Sequence, residues 1–193
     1  MTAPGCCSTL LPRPGTFCHK TPGAVTAPTA DLAMMLLLMS ARRAGEGERL
    51  VRSGQWRGWH PVELLGDDVG GRTLGIVGMG RIGQEVARRA AAGFGMVVLF
   101  HNRSPKRPPG LEATQLPLDQ VLGRSDFIVV TLPGGVGTRH LIDAEALSLM
   151  RPHAHLINVS RGEVVDEAAL IEALREKRIA GAALDVYEFE PEV

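Results

Sequence analysis

The sequence has no excess of either charge, with 21 basic residues against 21 acidic ones over 193 positions. That balance removes the electrostatic footing of a general nucleic-acid or membrane-surface binder, so any partner must be held by a local site. Cysteine is scarce: Cys6, Cys7 and Cys18 all lie near the amino end with none downstream. Such a set supports neither a disulfide framework nor a zinc ribbon and fits a reducing compartment, and no metal is expected. Long apolar runs are also missing. The longest, Leu32 to Met39, has eight residues, whereas a bilayer span needs about 20. The amino end lacks the basic start and small-residue cleavage site of a secretory leader. The expected location is the cytoplasm, with no nucleic-acid or membrane partner.

What is present suits one globular unit. A chain with 45% hydrophobic and 22% charged residues can bury roughly 70% of its extended surface at this length, without a covalent or metal staple. Residues 1–20 are the exception, since the Pro, Gly and Cys content of Met1 to Gly15 comes with no apolar period. Burial there cannot offset chain entropy, and an irregular segment is expected. Helix formers then dominate from Thr29 to about Ser53, with Thr26 or Thr29 placed to cap a long helix. Its first half is apolar on every face, so it is buried either in the core or against a second copy of the chain. Residues 55–71 read as a loop holding Trp56 and Trp59.

From Arg72 onward β-type runs alternate with helical stretches, the mark of a parallel sheet covered on both faces. Strands are expected near Thr73 to Val77, Met96 to Phe100, Phe127 to Thr131, His155 to Val159 and Ala182 to Val186. Between them lie helices at Ile82 to Ala92, Leu118 to Leu122, Ala144 to Met150 and Glu167 to Glu176. The fold class is α/β: a doubly wound parallel sheet with a long helix before it.

The first strand runs into Gly78-Met-Gly-Arg-Ile-Gly83, a G-x-G-x-x-G sequence set between strand and helix. Gly78 permits the tight turn, Gly80 lets main chain approach a pyrophosphate, and Gly83 lets the helix close on the strand. Helix-start amides and the macrodipole then face the phosphates, which identifies a Rossmann-type dinucleotide site. A carboxylate for the ribose 2′-hydroxyl of NAD is absent at the end of the second strand. Asn102 holds that position, and Arg103, Ser104, Lys106 and Arg107 follow as donors suited to a 2′-phosphate. The local chemistry favours NADP over NAD. Later strand ends add Leu132 in a Pro/Gly loop, Arg161, and Asp185 with Glu190, all directed to the sheet edge where open α/β folds bind ligands.

From about Thr21 to Val193 the chain resembles the D-isomer-specific 2-hydroxy-acid dehydrogenases, most of all their glyoxylate/hydroxypyruvate reductase branch. The matching stretches are Thr21 to Asp31, Gly78 to Gly83, Asn158-Val-Ser-Arg-Gly162 with Val165-Asp166, and Leu184 to Pro191. The resemblance implies that Arg161 anchors the carboxylate and carbonyl of a small 2-oxo or 2-hydroxy acid and that Glu190 tunes a catalytic histidine. It implies that Asp185 bonds the nicotinamide carboxamide and that Arg81, Ile82, Val159 and Ser160 line the cofactor. It also makes residues 21–70 a connecting helix and loop, with a homodimer formed through helix 29–53, and residues 71–193 a dinucleotide-binding domain incomplete at its carboxyl end.

Two features depart from the family pattern. The loop Leu132 to Thr138 differs from the Leu-Thr-Pro type usual there. The family's catalytic histidine follows the glutamate motif, whereas His19, His60, His101, His140, His153 and His155 all precede Glu190. A truncated form is therefore expected, able to hold a cofactor but lacking the acid/base group and the substrate domain. The alternatives are a non-catalytic nucleotide-sensing or interaction module and a fragment unable to fold.

Overall fold

The computed structural model describes residues 23–191, so the irregular segment expected over 1–20, with its three cysteines and His19, lies outside the described residues. Six parallel strands form one sheet in the order β3-β2-β1-β4-β5-β6. Their ranges are β1 Thr73–Val77, β2 Val97–His101, β3 Ala113–Gln115, β4 Phe127–Val130, β5 His155–Asn158 and β6 Gly181–Leu184. This is the doubly wound order of dinucleotide-binding sheets, with its reversal point between β1 and β4. The helices are α1 Thr26–Ala41, α2 Ala44–Arg52, α3 Arg81–Phe94, α4 Leu118–Arg124, α5 Ala144–Ser148 and α6 Glu167–Arg175.

Strand alternation divides the core between the two faces. Leu74, Ile76, Phe100, Phe127 and Val129 pack beneath α1 and α3 with Ala33, Leu37 and Val86. Val77, Ile128, Val130 and Leu156 point the other way, onto Leu147 and Leu170 of α5 and α6. Both faces are thus dry, which is why the central strands read as unbroken apolar runs. Asp143 and Asp166 cap α5 and α6 by accepting from the amides of Ala146 and Ala169 at 2.9 and 3.0 Å.

The expected helix from Thr29 to Ser53 is corrected to two. The carbonyl of Ala41 accepts from the Asp67 amide at 2.8 Å, and Arg43 turns into the left-handed region at φ 52°, so the ladder stops there. Gly66 packs so closely on this bend that a Cβ would overlap the Ala41 carbonyl. The start is also earlier, at Thr26, and neither Thr26 nor Thr29 caps it; Val25 holds the cap position without a side-chain bond. Ala30, Ala33, Met34, Leu37 and Ala41 are buried in the core, while Met35 and Met39 are exposed on the outer face. β3 and a 3₁₀ turn at Gly162–Val164 were not expected from the sequence, and the other elements lie within a few residues of their expected ends. Among the described residues no helix is long and apolar enough to cross a membrane.

Two side-chain knots fasten the amino-terminal edge of the sheet. In the first, His155 is buried and stacks on Phe127 with ring centres 5.2 Å apart. Its Nδ1 meets Ser40 Oγ at 2.8 Å and its Nε2 meets Asp67 Oδ2 at 3.1 Å, joining α1 and the loop after residue 65 to β5. In the second, Asp126 accepts from the Thr73 amide at 2.8 Å, from Arg151 at 2.8 Å and from His153 at 2.9 Å. Burial alone would raise the Asp126 carboxyl, but those three donors outweigh it and hold it below the usual carboxylate range. A depressed native value stabilises the fold above the ordinary aspartate range and stops doing so as pH falls through the native one. Urea unfolding should therefore show stability lost below about pH 4. Asp126→Asn is expected to cost about 2 kcal/mol at pH 7 and to flatten that acid limb. An unchanged acid limb in the variant would assign the loss to other carboxylates.

Candidate functional site

Because every strand is parallel, the loops after β1, β2, β4, β5 and β6 emerge along one edge. The first is the glycine loop. Gly78 has φ 106°, open to glycine and strained for other residues, and its amide donates to the His101 carbonyl at 2.9 Å. Thr131 Oγ1 donates to the Gly78 carbonyl at 2.6 Å, and Leu132 lies over the same glycine. Gly83 is buried at the start of α3, and a Cβ on it would overlap the Gly78 carbonyl. At Gly80 a Cβ would meet nothing within 4 Å. The first-turn amides of Arg81, Ile82 and Gly83 have no side-chain cap and, as first-turn donors, no partner within the helix. Bare donors, a positive helix end and an open space beside Gly80 fit a diphosphate.

Next to it, the chain leaving β2 folds into a compact basic turn. Asn102 Nδ2 donates to the Ser104 carbonyl at 2.9 Å and to its hydroxyl at 3.2 Å. Arg103, Lys106 and Arg107 are exposed, and among the described residues none pairs with a carboxylate.

The third part joins the loops after β5 and β6. Buried Asn158 accepts at Oδ1 from the Ser160 amide at 3.0 Å and hydroxyl at 2.7 Å, and its Nδ2 donates to the Arg161 carbonyl at 3.0 Å. Val159 and Ser160 are buried behind this turn, and Arg161 is exposed, its Nη1 donating to the Ser160 carbonyl at 2.7 Å. The Asp185 amide donates to the Asn158 carbonyl at 3.0 Å, which sets its exposed side chain beside that turn. Gly162 sits so close to the main chain of Tyr187 and Glu188 that a Cβ would overlap both. Glu163 accepts from the Gly135 amide at 2.8 Å and so holds the loop that begins with Leu132 and Pro133. Farther out, nearly buried Glu188 meets His140 Nε2 at 2.6 Å and Arg139 at 3.3 Å.

The sequence-derived residues thus gather in three places: Gly78, Gly80, Arg81, Ile82, Gly83 and Leu132 at the glycine loop; Asn102, Arg103 and Ser104 beside it; Val159, Ser160, Arg161 and Asp185 across the edge. Glu190 is not joined to Arg161 by any hydrogen bond among the described residues; it accepts from the Tyr187 amide at 2.6 Å. Sequence reasoning missed the positioning groups Thr131, Asn158 and Gly162, although the last two lie inside a motif it singled out. It also missed Gln115, for which no motif gives a signal.

Comparison with known proteins gives concordant results. The family described as D-isomer specific 2-hydroxyacid dehydrogenase, NAD binding domain, matches residues 34–193. A glyoxylate reductase of Thermococcus onnurineus is 51% identical over 183 residues, 92% of this chain and 54% of that protein. A solved glyoxylate reductase from Paecilomyes thermophila superposes with a TM-score of 0.81 at 42% identity, covering 89% of this chain and 52% of the other. An acyclic imino acid reductase solved with NADPH and D-Arg has a TM-score of 0.78 at 32% identity, over 87% and 53% of the respective chains. The chain spans about half the length of the curated relatives it matches.

Proposed function

The chain belongs to the D-isomer specific 2-hydroxyacid dehydrogenase family, and from that premise we propose that it binds a nicotinamide dinucleotide, NADP before NAD, as part of an oxidoreductase that reduces a small 2-oxo acid such as glyoxylate or hydroxypyruvate. The observation that carries the reading is the stereochemistry of the glycine loop: room beside Gly80, closure at Gly83 and bare amides at the head of α3. When bound, the cofactor supplies hydride to the carbonyl carbon of the acid. The preference for NADP rests on the basic turn at Arg103 and on the absence of a carboxylate where β2 ends. Solved relatives hold either nucleotide, one NADPH and another NAD, so the preference rests on this chain's own residues.

Each residue then has a task. Gly78, Gly80, Arg81, Ile82 and Gly83 receive the pyrophosphate, Asn102, Arg103 and Ser104 the adenosine ribose and its phosphate, and Leu132, Val159 and Ser160 wall the cofactor in. Asp185 accepts hydrogen bonds from the carboxamide. Arg161, whose one side-chain hydrogen bond among the described residues is to its own turn, has a guanidinium fork to hold the substrate carboxylate and offset charge growing on the carbonyl oxygen. Glu190 would orient an imidazole proton donor and keep it protonated near neutrality. A second copy of the chain, docked through the helical segment 29–53, would cover exposed Met35 and Met39 of α1. A cytoplasmic location fits this chemistry.

NADPH at about 100 times its Kd should stabilise the chain by about 2.7 kcal/mol, seen as a higher thermal midpoint. The 193 residues alone are expected to turn over no glyoxylate, because none of their histidines follows Glu190. A cooperative melt that no nicotinamide nucleotide moves would remove the reading, and turnover would show that another group gives the proton.

A further inference from the structure

We infer that Gln115 is the positioning residue through which β3 sets the preference for the 2′-phosphate. The inference rests on the NADP reading above. The short edge strand β3 pairs with β2 so that Gln115 lies opposite Phe100, one strand away from the glycine loop. From there its carboxamide reaches into the turn after His101. The Lys106 amide is a donor and needs an acceptor, which fixes Oε1 toward it at 2.9 Å. Nε2 is left facing two carbonyls, to which it donates: Asn102 at 3.0 Å and Ser104 at 3.2 Å. One side chain therefore satisfies three main-chain groups spread over residues 102–106.

The turn has little else to hold it. Its own bonds run from Asn102 to Ser104, and Arg103, Ser104, Pro105, Lys106 and Arg107 are all exposed. A run of exposed cations repels itself, and the long side chains of Arg103 and Lys106 lose entropy when they settle on one phosphate. Fixing the main chain beneath them lowers that cost and aims Arg103 and the Ser104 hydroxyl at a single place. The same turn is tied to the phosphate loop by the Gly78 to His101 bond. Gln115 thus fixes where the basic side chains stand relative to the pyrophosphate, without touching the nucleotide.

The test measures Kd for NADPH and NADH on the 193-residue chain and its variants. Gln115→Met keeps length and loses all three bonds; Gln115→Thr keeps strand preference and cannot reach the turn. Both variants should lower the NADPH-to-NADH affinity ratio about tenfold while NADH binding stays within about twofold. Combined with Arg103→Met, Gln115→Met should add little to the loss caused by Arg103→Met alone, as expected when one residue acts through another. A merely structural glutamine would instead weaken both nucleotides alike and lower the melting point of the unliganded chain. That result, or an unchanged ratio in folded variants, overturns the inference and leaves the NADP reading standing. A wild-type chain that binds NADH at least as tightly as NADPH overturns both.

Discussion

Gly80→Val is expected to weaken NADPH binding by about 100-fold, close to 2.7 kcal/mol, while the unliganded chain loses no more than about 1 kcal/mol for a poorer helix cap. The separation follows from where the Cβ points. Gly80 has φ −79°, which any residue adopts, and its substituent meets no protein atom within 4 Å. A side chain added there grows from open space beside the amides assigned to the pyrophosphate. Gly83→Ala provides the contrast, because its Cβ drives into the Gly78 carbonyl. That change should cost about 1–3 kcal/mol of stability in addition to binding. Fluorescence titration with NADPH and thermal melts of both unliganded variants separate the two effects. Normal binding by the Gly80→Val protein would place the dinucleotide elsewhere.

The second large effect is expected at Gly162. Its α-carbon lies against the main chain of Tyr187 and Glu188, and neither partner is a side chain that can swing aside. Gly162→Ala must force the loop after β5 away from the loop after β6, at about 3 kcal/mol. Arg161 and Asp185 ride on those two loops, so the displacement separates the groups proposed to hold acid and carboxamide. Gly137→Ala on the same rim is the control: a Cβ there meets nothing within 4 Å, and a change within about 0.5 kcal/mol is expected. Urea denaturation of both variants decides the matter. Equal midpoints would mean that the two loops tolerate separation.

How much of this was legible depended on the range of the interactions. The runs at Phe127–Val130 and His155–Asn158 are buried along their whole length, and they announced themselves through Phe127-Ile-Val-Val130 and the Leu156-Ile157 centre of the second. The glycine loop was legible because each glycine answers a local steric demand between a strand and a helix. The break after Ala41 was not, since it depends on the Asp67 amide capturing a carbonyl 26 positions away in the chain. β3 was hidden for a related reason: three residues behind Pro108, Pro109 and Gly110 have no period of their own, and pairing with β2 makes them a strand. Among site residues, Arg161 and Asp185 were legible as polar groups at strand ends. Gln115 and Gly162 act through contacts with chain distant in sequence, which no spacing records.

The knot at His155 has a consequence for how the helix layer rides on the sheet. An ionised Asp67 can only accept, so Nε2 must carry a hydrogen; Ser40 has a hydroxyl that can rotate to give or to take. The ring is thus held from both edges, at 2.8 and 3.1 Å, while its face rests on Phe127. The rivet between α1 and β5 therefore joins three elements through one ring, and sliding the helix layer along the sheet would break both polar contacts and the stack together.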